Sequence, residues 1–142
     1  PVDTLQVLCA TMTAQTLVSE NCLLCPMLDA RRMEVYTAMY QPTTLKKETS
    51  IQAKVVDQTT FAPALAERQI YFFGNGADKC KQVILSPNAY FVDNIVPHAQ
   101  YMGQLAEDTA LERALDAKQM AYYEPFYLKE FVPAPSHIKG LK

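Results

Sequence analysis

Between Thr4 and Val18 the apolar positions 5, 8, 9, 12 and 17 recur at helical spacing, and Asp3 or Thr4 stands where a cap belongs. The pattern predicts a helix over residues 4–18 with one face on a core. Two apolar stretches follow, 22–28 and 33–40, separated by the polar Asp29-Ala30-Arg31-Arg32. In the second, Val35, Thr37 and Met39 alternate with Tyr36, Ala38 and Tyr40, which is strand periodicity, so the two stretches read as a β-hairpin. Ile51 to Val56 is a third strand candidate, after a polar connection holding Pro42 and Lys46-Lys47-Glu48. Beyond Thr59-Thr60 a short helical stretch, 61–67, leads into Ile70-Tyr71-Phe72-Phe73, four β-favouring residues closed by Gly74-Asn75-Gly76.

The remaining pattern predicts a short helix over 77–83 and a last short strand over 89–92. Pro97 then opens a helix whose inner face is Ala99, Met102, Leu105 and Ala106. A further helix from Thr109 to Lys118 carries Leu111, Ala114 and Leu115, and a tail with Pro125, Pro133 and Pro135 is expected to be extended. Strands in series followed by alternating helices and strands argue for one α/β layered domain, without internal repeats or low-complexity tracts.

Composition narrows the function classes. With 142 residues, 49% of them hydrophobic and 20% charged, the chain can bury a core without disulfides or a structural metal. Thirteen Lys and Arg against fifteen Asp and Glu give a net charge of −2 with the signs scattered, which argues against strong nucleic-acid binding. The apolar run Cys22 to Leu28 is far shorter than the roughly 18–20 residues of a membrane span. The opening Pro1-Val2-Asp3-Thr4 shows neither an initiator Met nor a signal peptide and reads as cut from a longer chain. Cysteines at 9, 22, 25 and 80 form no secreted framework, so reduced thiols in the cytoplasm are expected.

Candidate chemistry is sparse. Cys22-Leu-Leu-Cys25 lacks a second ligand pair for zinc, and on a strand its two thiols face opposite sides, so burial is expected. His98 and His137 belong to no metal-binding pair, and His98 reads as a solvent-facing residue at a helix start. Gly74-Asn75-Gly76, between a strand and a helix, is either a turn that needs positive φ or the edge of a nucleotide site. Asp29, Arg31, Arg32 and Glu34 at the hairpin end could form an acid-base pair, an anion clamp, or a turn that pairs its own charges.

Leu28-Asp29-Ala30-Arg31-Arg32-Met33-Glu34-Val35-Tyr36 resembles the D-A-R-x-x-E-V-Y signature of the bacterial TsaB (YeaZ) family. Val2-Asp3-Thr4-Leu5, Phe73-Gly74-Asn75-Gly76 and Glu124-Pro125-Phe126-Tyr127-Leu128 are similar to three further family segments, with Lys129 in place of the usual Arg. The resemblance implies an actin-like, Hsp70-like fold of the ribonuclease H-like (ASKHA) class. This chain would be its second, C-terminal lobe, a mixed central sheet with flanking helices, and the N-terminal lobe would lie outside it. The implied function is a non-catalytic subunit for threonylcarbamoyladenosine synthesis on tRNA in the cytoplasm. Its implied partners are the catalytic paralogue TsaD, the ATPase TsaE and a second copy of itself, the known paralogue and dimer contacts using the other lobe.

No catalytic residue, metal or cofactor is implied for this chain. Ala30, Arg31 and Arg32 fill the hairpin where ATP-binding members of the superfamily have glycine, so tight ATP binding is not expected. Arg31, Arg32 and Glu34, with Asp29 and Tyr36, would have a shape-and-charge role. Of the C-terminal signature Glu124, Pro125, Tyr127 and Leu128, Glu124 and Tyr127 are expected to tie the tail to the sheet by satisfying backbone groups. Older annotation of the family suggests a peptidase instead, and the fold class also contains sugar-kinase-like ATPases; a plain interaction module is the remaining alternative.

Overall fold

The computed structural model describes residues 2–113, 116–125, 127 and 128. Asp3 starts the first helix, α1 (Thr4–Gln15), by accepting the Leu5 N–H at 2.9 Å, and its carboxylate also receives the Tyr40 hydroxyl at 3.2 Å. The helix stops three residues before the predicted Val18. Thr16 is extended, with φ −136°, and its N–H closes the last turn on Met12; β-branched Thr16 and Val18 are stiff at χ1 and favour that geometry.

The predicted strands all form: β1 (Leu23–Asp29), β2 (Glu34–Thr37), β3 (Gln52–Val55), β4 (Ile70–Phe73) and β5 (Ala89–Val92). They make one mixed sheet in the order β3-β2-β1-β4-β5, with β1, β2 and β3 antiparallel in turn and β4 and β5 parallel to β1. β2 is shorter than its alternating pattern because Pro26, in the central strand, has no N–H for the ladder. Met27 pairs with Thr37 and Leu24 pairs again with Tyr40, so the register resumes beyond the gap. Within it, the Thr37 hydroxyl donates to the Pro26 carbonyl at 2.7 Å. That leaves the Cys25 thiol as donor to Thr37 Oγ1 at 3.2 Å, and burial pushes this thiol up to about 12.

Alternation across the sheet divides the core in two. Leu23, Cys25, Met27, Ile70 and Phe72 pack with Phe61, with Leu65 of α2 (Ala62–Glu67) and with Cys80. Leu24, Phe73, Tyr40 and Cys22 pack with Leu5, Leu8 and Met12 of α1 on the other face. Cys22 and Cys25 therefore face opposite sides, and all four cysteines are buried free thiols.

The C-terminal pattern is corrected. A 3-10 turn over Ala99–Tyr101, entered from exposed His98, precedes one helix, α3 (Met102–Arg113), where two helices meeting near Thr109 were predicted. The second, α4 (Ala117–Ala121), starts at Asp116, whose side chain and that of Gln119 form a reciprocal capping box. Of the expected inner face only Leu105 is buried; Ala99, Met102 and Ala106 are exposed. The 3-10 turn has three residues per turn, so positions counted at 3.6 from Pro97 fall out of phase. The side chains of Leu111, Ala114 and Leu115, with Pro133, Pro135 and His137, lie outside the described residues.

Candidate functional site

β1 and β4 are parallel, so their C-terminal ends meet at one edge of the sheet. Two of the sequence-predicted groups come together there: the hairpin end after β1 and the glycine turn after β4. The Gly76 N–H donates to the Met27 carbonyl at 3.0 Å, and the Asp29 N–H donates to Asn75 Oδ1 at 3.0 Å. Gly74 has φ +97°, and a Cβ there would stand 2.5 Å from the Met27 oxygen; a Cβ on Gly76 would stand 2.9 Å from the Leu28 carbonyl carbon. Gly74 is thus required both by conformation and by the close approach of two backbones, and Gly76 by the close approach. The Gly76 amide is spent on β1, and the Ala77 N–H bonds the Gly74 carbonyl at 3.1 Å.

Lys79, in a 3-10 turn over Asp78–Cys80, locks the joint. Its ammonium donates to the Asp29 carboxylate and, at 2.7 Å, to the Glu34 carbonyl, so one side chain holds both legs of the hairpin. Asp29 Oδ1 also accepts the Arg31 N–H at 3.2 Å. The Lys79 hydrogen bond, followed by the Arg31 amide, holds the Asp29 carboxyl below its usual range. A carboxylate held down and shared in this way is a poor proton acceptor near neutrality, so the bonds at this joint are ionic and structural. Further along the same edge, Lys81 bridges Asp78 at 2.7 Å and Asp93, just after β5, at 2.5 Å.

At the tip, Ala30 and Glu34 close the hairpin through Ala30 N–H to Glu34 O at 3.1 Å and Glu34 N–H to Arg31 O at 3.0 Å. Arg31 and Arg32 have φ of 77° and 48°, a left-handed backbone that costs a non-glycine residue roughly 1–2 kcal/mol. Both side chains are exposed, and among the described residues no carboxylate forms an ion pair with either. Tyr36 sits away from the tip, half-buried, paired with Leu28 on β1 and Ala53 on β3.

Comparison with solved structures then bears on the fold. A crystal structure described as an uncharacterized protein with similarity to peptidase YeaZ from Pseudomonas aeruginosa superposes at a TM-score of 0.69. The match covers 90% of this chain at 22% identity. The fold is YeaZ-like. The chain spans 57% of the length of that neighbour. No family model and no curated protein matches the sequence. The mixed five-stranded sheet with flanking helices expected of the chain is the YeaZ-like architecture observed.

Within this YeaZ-like fold the last predicted group stands apart. Glu124, Pro125 and Tyr127 are exposed, Tyr127 at 78%, and Leu128 is half-buried. The expected closing contact of Tyr127 with the sheet is therefore corrected: a side chain that open to solvent satisfies no buried group. Phe126 and Lys129 lie outside the described residues. The residue of this joint that the sequence pattern does not single out is Lys79. It stands fifty positions from Asp29, and only the parallel pairing of β1 with β4 brings the two together. Among the described residues no group of three His, Cys, Asp or Glu side chains could hold a metal ion, and no helix is long and apolar enough to cross a membrane.

Proposed function

We propose that the chain is the sheet-bearing lobe of a non-catalytic scaffold subunit that supports threonylcarbamoyladenosine synthesis on tRNA in the cytoplasm, with the catalytic paralogue TsaD as its principal partner and TsaE as a second. The observation that carries this reading is the joint between the signature hairpin and the glycine turn. Asp29, which belongs to the resembled motif, is tied to Asn75 and Lys79, and the close-packed glycines hold the two loops as one rigid edge. The YeaZ-like fold supports the same reading. Isothermal titration of the protein against the paralogue from the same source should give saturable binding. Depleting the protein in its own cells should lower threonylcarbamoyladenosine in bulk tRNA, read by nucleoside mass spectrometry. An unchanged nucleoside level with no heat of binding would overturn the proposal.

The description of the structural neighbour favours a second reading, a peptidase. Casein cleavage, assayed with and without added divalent metal, discriminates it; activity that survives removal of co-purifying proteases would establish it. A sugar-kinase-like ATPase would instead show tight ATP binding in a nucleotide titration.

A further inference from the structure

The hairpin tip is built against its own conformational preference. Two successive positions with positive φ are the place for Asn-Gly or Gly-Gly, which adopt that backbone at little cost. This chain puts Arg31 and Arg32 there, two exposed cations side by side. Asp29, at the base of the turn, is committed to Lys79 and to the Arg31 backbone amide. Strained backbone persists where the surrounding structure over-determines it, and here Lys79, Asn75 and the glycine contacts do so from below. The neck is rigid, and the tip presents two guanidiniums that no carboxylate among the described residues engages.

We propose that Arg31 and Arg32 form a docking site for a short acidic segment of a partner protein, whose carboxylates take the two guanidiniums in forked hydrogen bonds. For the identity of that partner the proposal rests on the scaffold reading; for its chemistry it does not. Charge along the edge selects a short acidic segment over a nucleic-acid backbone. Asp78 and Asp93 lie further along the same sheet edge with Lys81 as their shared cation, so a continuous polyanion laid on this edge meets surplus carboxylate beyond the tip. The net charge of −2 points the same way.

The test compares the protein with its Arg31→Asn/Arg32→Gly double variant, whose turn sequence suits the same backbone. A fluorescent oligoglutamate peptide is the probe, followed by anisotropy at low salt and again at physiological salt. The protein should bind it in a salt-sensitive manner, and the variant should bind at least about tenfold more weakly. The variant's denaturation midpoint should rise at the same time, so that stability and binding move in opposite directions. An Arg31→Lys/Arg32→Lys variant, which keeps the charge and loses the fork, should fall between the two. Equal peptide binding by the protein and the Asn-Gly variant, or none by either, overturns the proposal. A tRNA transcript bound in place of the peptide, and lost in the variant, overturns it in favour of a nucleic-acid contact. Arginine-dependent peptide binding without any binding of the paralogue keeps the acidic-segment site and removes the scaffold reading.

Discussion

Single atoms decide the joint at the sheet edge. Gly76 has no room for a methyl group, because the atoms it would meet are backbone atoms of β1, which cannot swing aside as a side chain can. Gly76→Ala should cost about 2 kcal/mol of unfolding free energy. Gly74→Ala, which adds an unfavourable φ to a closer contact, should cost about 3 kcal/mol. Urea titration of the two variants checks the order as well as the size. Thr37 is a second such position, since its hydroxyl is spent on the Pro26 carbonyl and receives the Cys25 thiol. Thr37→Val keeps the shape and strands both groups in the core, so it should lose about 1–2 kcal/mol, whereas Thr37→Ser should lose less. The same titration separates them.

Elements were legible in the sequence wherever the local pattern and the tertiary structure agree. The hairpin, with alternating residues 35–40 and a polar tip, and β4, a dense apolar run stopped by glycine, carry their own period and punctuation. The C-terminal helices depart from the pattern because a 3-10 turn shifts the phase and because a capping box at Asp116 starts the second helix. The candidate site was half legible. Its two loops could be picked out by their residue types, but not their contact, nor the role of Lys79, because parallel strands joined through a long crossover leave no short-range signal. The ionic lock has a pH signature. Asp29 has its carboxyl pKa lowered from the ordinary 3.8, so its contribution is complete above that value and disappears as pH falls through the lower folded value. Lys79→Met should therefore destabilise the protein at neutral pH, and the part of its deficit owed to Asp29 should disappear as pH falls through the lowered Asp29 pKa, leaving the part owed to the Glu34 carbonyl. The urea midpoint of both proteins against pH measures it. Asp57, brought to about 2 by the Thr60 and Thr59 hydroxyls, adds to the same acid limb and is left intact in the variant.

At the scale of the whole molecule, the sheet joins two kinds of connection. β1, β2 and β3 follow one another through local turns, while the chain leaving β3 must cross back past β2 and β1 for β4 to lie against the far side of β1. Loop closure over that distance is entropically costlier than closing the hairpin, which predicts an order of assembly: hairpin first, β4 docking second, and the glycine turn seated on Met27 and Leu28 last. On that order the contacts of Gly76 form after the barrier, which a mutation at Gly76 tests. Gly76→Ala should speed unfolding by more than tenfold while leaving the refolding rate within about a factor of two, a split that stopped-flow measurement of both limbs reads directly. The glycine turn would then act as a brake on opening. It would set how long the edge that carries Arg31 and Arg32 stays in shape once formed, and have little say in how quickly the chain finds it.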